Sequence, residues 1–170
     1  FHCALSISGI MLELVQQYAP EMIDILKELS DTGCVEYVAT PYSQSLASVY
    51  SDTEAVEQLR LQQAMVKELF GQQSTTLCNT ELVYSDEIAI SLHKQGYKTV
   101  MTEGAKHVLS WKSPNYVYSS ASAPKMKMLL RNSNLSDELA FHFADPNWHN
   151  FPMDAEKYTQ QLAALPEEEQ

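Results

Sequence analysis

Short β-prone runs alternate with helix-patterned segments along this chain, and that alternation limits the folds open to it. The runs are residues 3–8 (CALSIS), 34–39 (CVEYVA), 75–79 (TTLCN), 98–102 (KTVMT) and 126–131 (MKMLLR). Consecutive strands separated by a helix pair in parallel, because a long crossover must return the chain to the same edge of the sheet. The expectation is an α/β domain built on a parallel sheet, either barrel-like or open.

Local punctuation fits this alternation. Residues 10–18 place Ile10, Leu14 and Tyr18 at helical spacing. Pro20 opens a second helix with Met22, Ile23, Ile25, Leu26 and Leu29 on its apolar side, and Gly33 ends it. Ser51-Asp52-Thr53-Glu54 reads as a capping box, in which hydroxyl and carboxylate satisfy each other's backbone N–H groups. The helix it starts runs to Phe70 and stops at Gly71. Further helices are expected over 85–95 and 136–143 and from Asp154, with a Ser-, Tyr- and Trp-rich loop over 110–124. Residues 1–165 read as the central part of one domain, and 166–170 as the polar end of a cut chain.

Charge narrows the partners. The net charge is −11, and the 11 Lys and Arg form no run. Phosphate backbones and anionic bilayers need clustered cations, so nucleic acid and membrane surfaces are excluded as expected partners. A neutral substrate such as a sugar is compatible. The 3 cysteines, Cys3, Cys34 and Cys78, are isolated and read as buried, reduced thiols, which favours a cytoplasmic setting. No CxxC and no His/Cys ligand spacing occurs, so no metal site is expected.

In parallel α/β folds, chemistry collects at the C-terminal ends of strands. Gln44, Glu81, Glu103, His107 and the stretch 132–137 fall there. Glu81 and Asp137 suit a carboxylate pair. Glycosidic cleavage needs one ionised acid to attack or stabilise the sugar cation and one protonated acid for the leaving oxygen. Each also has a plain structural reading: Glu81 as a first-turn acid at a helix N-terminus, and Asp137 as part of an ordinary Ser-Asp-Glu helix start. Trp111, Tyr116, Tyr118 and Trp148 could stack on sugar faces or simply cover a rim. Met126 and Met128 read as core, and His93 as a surface residue.

Four segments in order, NTELVYSDEIA, MTEGAKHVLSWKSPNYVY, LLRNSNLSDELAFHF and FPMDAEKY, resemble the α-amylase branch of glycoside hydrolase family 57. The resemblance implies an incomplete seven-stranded (β/α) barrel, truncated here at both ends. It implies retaining action on α-glucans or maltodextrins by an α-amylase or 4-α-glucanotransferase type of enzyme, with no cofactor. It makes Glu81 the nucleophile and Asp137 the general acid/base, with His107 and Trp111 as sugar contacts. Two departures stand out. Gln44 occupies the place of an expected histidine, and Ser110 that of an expected glycine. Gln44 can still hydrogen-bond a hydroxyl but carries no proton. Two alternatives stay open: a carbohydrate-binding relative with a weakened site, and a polysaccharide deacetylase-like barrel. The latter would need an Asp-Asp plus HxxxH arrangement that this chain lacks.

Overall fold

A computed structural model of the chain describes residues 2–165; the expected polar end at 166–170 lies outside them. The elements run β1 (Cys3–Ser6), α1 (Gly9–Tyr18), α2 (Pro20–Asp31), β2 (Val35–Val38), α3 (Asp52–Phe70), β3 (Thr76–Cys78), α4 (Asp86–Lys94) and β4 (Thr99–Glu103). They continue with α5 (Lys106–Leu109), β5 (Tyr118–Ser119), β6 (Lys127–Arg131), α6 (Ser133–Ala140) and α7 (Ala155–Ala163). The α/β class and the parallel pairing agree with the sequence reading. Strand β1 pairs in parallel with β2, Cys3 opposite Val35 through Ser6 opposite Val38. Strand β3 pairs in parallel with β4, Thr76 opposite Thr99 through Cys78 opposite Met101. A parallel bridge between Ala39 and Leu77 joins the two pairs, with Ala39 N–H donating to Thr76 O (2.9 Å) and Cys78 N–H to Ala39 O (2.8 Å). β6 and then β5 follow β4 in the sheet order.

The chain divides into two compact units, Phe1–Thr102 with Ser119–Met128, and Glu103–Tyr118 with Leu129–Gln170. The first unit carries two apolar clusters. One gathers Leu12, Ile23, Val35, Tyr37, Val66 and Phe70, with the Tyr37 and Phe70 rings stacked at 4.2 Å. Burial of the Tyr37 hydroxyl is made tolerable by its bond to Leu26 O (2.8 Å). The other gathers Ala39, Leu59, Leu77, Ala89, Leu92, Tyr97, Val100, Ala123 and Met126. Met128 packs against this second cluster, so both methionines read as core belong to it. Burial along β4 alternates as a half-buried strand requires, with Val100 and Thr102 inside.

Several local expectations shift for identifiable reasons. The capping box is half made. Ser51 Oγ accepts from Glu54 N–H (3.3 Å), but Ser51 N–H already donates to Ala47 O (2.8 Å), so the Glu54 carboxylate turns to Gln58 Nε2 (2.9 Å) instead. Helix α6 starts at Ser133 rather than 136, because Asn132 Oδ1 caps it by accepting from Leu135 N–H (3.2 Å). Asp137 therefore sits within the helix and is not a first-turn acid. The loop 110–124 contains the short strand β5, and residues 106–109 form a helical turn that the sequence reading did not separate. The three cysteines are free but half-buried, not fully buried. His93 is exposed, as expected. No helix among the described residues is long and apolar enough to cross a membrane.

Candidate active site

The turn after β3 carries Glu81. Asn79 ends the extended run, and residues 80–82 form a single 3-10 turn in which Glu81 has φ 53°, ψ 21° and Leu82 has φ 53°. Left-handed backbone at a side chain with a Cβ costs about 1–2 kcal/mol per residue. Side chains just beyond β3 and within β4 offset that cost. Asn79 Oδ1 accepts from Thr80 N–H (3.0 Å), and Asn79 Nδ2 donates to Val83 O (2.9 Å) and to Ser48 Oγ (3.0 Å). Thr102 Oγ1, from β4, donates to Leu82 O (3.1 Å). Asn79 and Thr102 are 4% and 5% exposed, whereas Glu81 is exposed. Among the described residues no hydrogen bond or ion pair reaches the Glu81 carboxylate. Glu81 is therefore held by its backbone alone, and the expected first-turn acid at an α-helix N-terminus gives way to a strained turn ahead of α4.

Gln44 lies in the same unit, also at positive φ (53°) and exposed. Its loop is tethered on two sides. Ile10 N–H donates to Tyr42 O (3.1 Å), and the Tyr42 hydroxyl bonds Glu13, both on α1. Ser43 N–H and Oγ both reach Gln58 Oε1 on α3, each at 2.8 Å. The segment just after Gln44 supplies Ser48, so one Asn79 amide links the Gln44 region to the Glu81 turn. Cys78 lies three residues before Glu81. Burial pushes its thiol pKa up, against a smaller opposing effect of a Ser6 hydrogen bond.

In the second unit, Asp137 on α6 faces Arg131, the last residue of β6. Arg131 Nη1 also bonds Glu103 Oε2 at 3.0 Å, and Glu103 closes β4. Gly104 makes this approach possible, since a Cβ there would lie 2.6 Å from Arg131 O. Asn132, next to Arg131, bonds Asn115 through its amide (2.9 Å). The Glu103 hydrogen bond, with Asp137 adding to it, holds the Arg131 guanidinium above its ordinary pKa. With all three groups ionised the trio carries one excess negative charge. His107 on α5 and Trp111 just beyond it are exposed, Trp111 to 87%.

Two of the aromatics considered for sugar stacking have structural partners. The Tyr118 hydroxyl donates to Ser113 O (2.6 Å). Trp148 stacks on His142 at 3.7 Å and donates from Nε1 to Glu138 Oε2 (2.9 Å). Sequence reasoning noted Glu103 as a strand-end acid but gave no role to Arg131, Asn79 or Thr102. The available signal was position: each lies on or next to the last residue of a strand.

Parallel strands joined by helices, with acids and amides at the strand ends, define an α/β protein whose polar residues are concentrated where such folds carry out chemistry. The chain belongs to Glycosyl hydrolase family 57, whose sequence profile matches residues 1–170. It is 38% identical over 164 residues to the "Putative alpha-amylase" of Methanocaldococcus jannaschii, an alignment covering 96% of this chain and 35% of that protein. It is 29% identical over 100 residues to the alpha-amylase of Pyrococcus horikoshii, covering 59% of this chain and 16% of that one. The chain thus spans about a third or less of the length of these relatives. Its fold matches the 4-alpha-glucanotransferase of Thermococcus litoralis with a TM-score of 0.71 at 18% identity, over 83% of this chain and 23% of that structure. The GH57-type branching enzyme of Pyrococcus horikoshii matches with a TM-score of 0.58 at 16% identity, over 75% and 27%.

Proposed function

We propose that this chain supplies the central part of a seven-stranded (β/α) barrel whose site cleaves α-glucans with retention of configuration, by hydrolysis or by transfer to another glucan. Glu81 is the nucleophile: its carboxylate attacks the anomeric carbon while Asp137 gives its proton to the leaving oxygen. Asp137 then takes a proton from the incoming water or sugar hydroxyl, which opens the glycosyl ester and frees Glu81. Gln44 hydrogen-bonds a sugar hydroxyl, and His107 and Trp111 contact neighbouring rings. The observation that carries this reading is Glu81 itself, within a family of glycosyl hydrolases: an exposed carboxylate, without a partner among the described residues, on a strained turn beyond a strand end. Strained backbone of this kind concentrates at functional sites.

The test is hydrolysis of a maltooligosaccharide by the full-length protein. Glu81→Gln should lower kcat by about a thousandfold or more with unfolding unchanged. Wild-type turnover in that variant would refute the assignment. Gln44 favours one second reading, a binding protein with a weakened site, since an amide moves no proton. Glucan binding by the wild type without release of reducing ends would select that reading.

A further inference from the structure

We infer that Asn79 and Thr102 are positioning residues that hold the Glu81 carboxylate at its working place; the inference rests on Glu81 being the nucleophile. Two consecutive left-handed residues, neither of them glycine, form the turn that presents Glu81. The Glu81 side chain has no partner among the described residues, so its location follows from the backbone on either side. That backbone is pinned at three points by buried side chains: Thr80 N–H and Val83 O by Asn79, and Leu82 O by Thr102. Main-chain bonds from Leu82 N–H to Asn79 O (3.0 Å) and from Val83 N–H to Thr80 O (3.1 Å) close the turn. The third Asn79 bond, to Ser48 Oγ, ties the clamp to the segment after Gln44. A displacement near 1 Å of a reacting group lowers rates by about a hundredfold. Loosening this clamp therefore acts on chemistry more than on substrate capture.

The experiment follows labelling of the full-length protein by 5-fluoro-α-glucosyl fluoride. In that reaction a Glu81 oxygen forms the ester bond to the anomeric carbon and fluoride departs. Labelling is read by mass spectrometry, alongside kcat and KM on a maltooligosaccharide. Asn79→Ala is expected to slow labelling and lower kcat by about a hundredfold, with KM within about threefold of wild type. Thr102→Val should lower both rates by about tenfold, and Thr102→Ser, which keeps the hydroxyl, should restore them. Leu77→Ala, a buried neighbour in β3 that makes no bond to the turn, serves as the stability control. It should lower the unfolding midpoint without slowing labelling of the folded protein. Wild-type labelling rates in folded Asn79→Ala and Thr102→Val, with Glu81 labelled in the parent, would overturn the inference alone. Failure to label Glu81 in the parent, or full turnover by Glu81→Gln, would overturn the nucleophile assignment and the inference with it. If Asn79→Ala does not fold, the Thr102→Val and Thr102→Ser pair decides.

Discussion

Gly9→Ala should destabilise the protein, although alanine is the better helix former. Gly9 opens α1 directly after its Ser8 cap. A Cβ there would lie 2.0 Å from Tyr42 Cδ2, 2.1 Å from Cε2 and 2.6 Å from Cγ. Carbon atoms in contact sit about 3.5–4.0 Å apart, so the ring must retreat by roughly 1.5 Å. It is poorly placed to do so. Its hydroxyl is held by Glu13, its carbonyl accepts from Ile10 N–H at 3.1 Å, and its amide donates to Gln58 O at 3.3 Å. Overpacking of this kind costs about 1–3 kcal/mol, while the helix gains at most about 1 kcal/mol from alanine. With three ring carbons in the way the cost lies towards the upper end of that range, leaving a net loss of up to about 2 kcal/mol. Urea unfolding followed by circular dichroism measures it. The informative arm is the Tyr42→Ala background, where the ring is gone and Gly9→Ala should stabilise by up to about 1 kcal/mol. Equal destabilisation in both backgrounds would refute the argument, because the ring would then not be the cause.

Two further outcomes follow from other parts of the chain. Ser110 holds φ 58°, ψ −111° at the end of α5, where Gly is the natural occupant, so Ser110→Gly should stabilise by about 1 kcal/mol; a thermal midpoint that does not rise counts against strain at that site. Tyr97 is buried, its hydroxyl accepts from Gln63 Nε2 (2.7 Å), and burial pushes its pKa from 10.0 up to about 12. A phenol whose folded pKa lies above its unfolded value gives stability that is full below pH 10.0 and lost as the pH rises towards about 12. Stability against unfolding should fall across that window in the wild type, and Tyr97→Phe should remove this step; an unchanged alkaline limb in Tyr97→Phe would contradict it.

The sequence made some elements plain and others not, for physical reasons. Strand runs such as KTVMT and stops such as Gly71, which is left-handed at φ 67°, announced themselves because their causes are local. The start of α6 was misplaced because Asn132 and Ser136 are both good caps, and only the surrounding fold selects Asn132. The second half of the capping box was lost to Ala47, a competitor from the preceding turn. Glu81 was legible as an acid beyond a strand end, but its strain was not, since nothing in NTEL marks a positive φ without glycine. Arg131 between two acids was hidden for a different reason. Its partner Glu103 is 28 positions away, and that pairing exists only once both strands are in place.

The division into two compact units has a consequence for anyone who would dissect the chain. The first unit includes residues 119–128, which the ribosome delivers only after 103–118, part of the second. Ala123 and Met126 in that late stretch are buried in the cluster around Leu77 and Val100. A polypeptide ending at Thr102 would therefore lack two plugs of its own interior. No single cut separates one unit whole from the other.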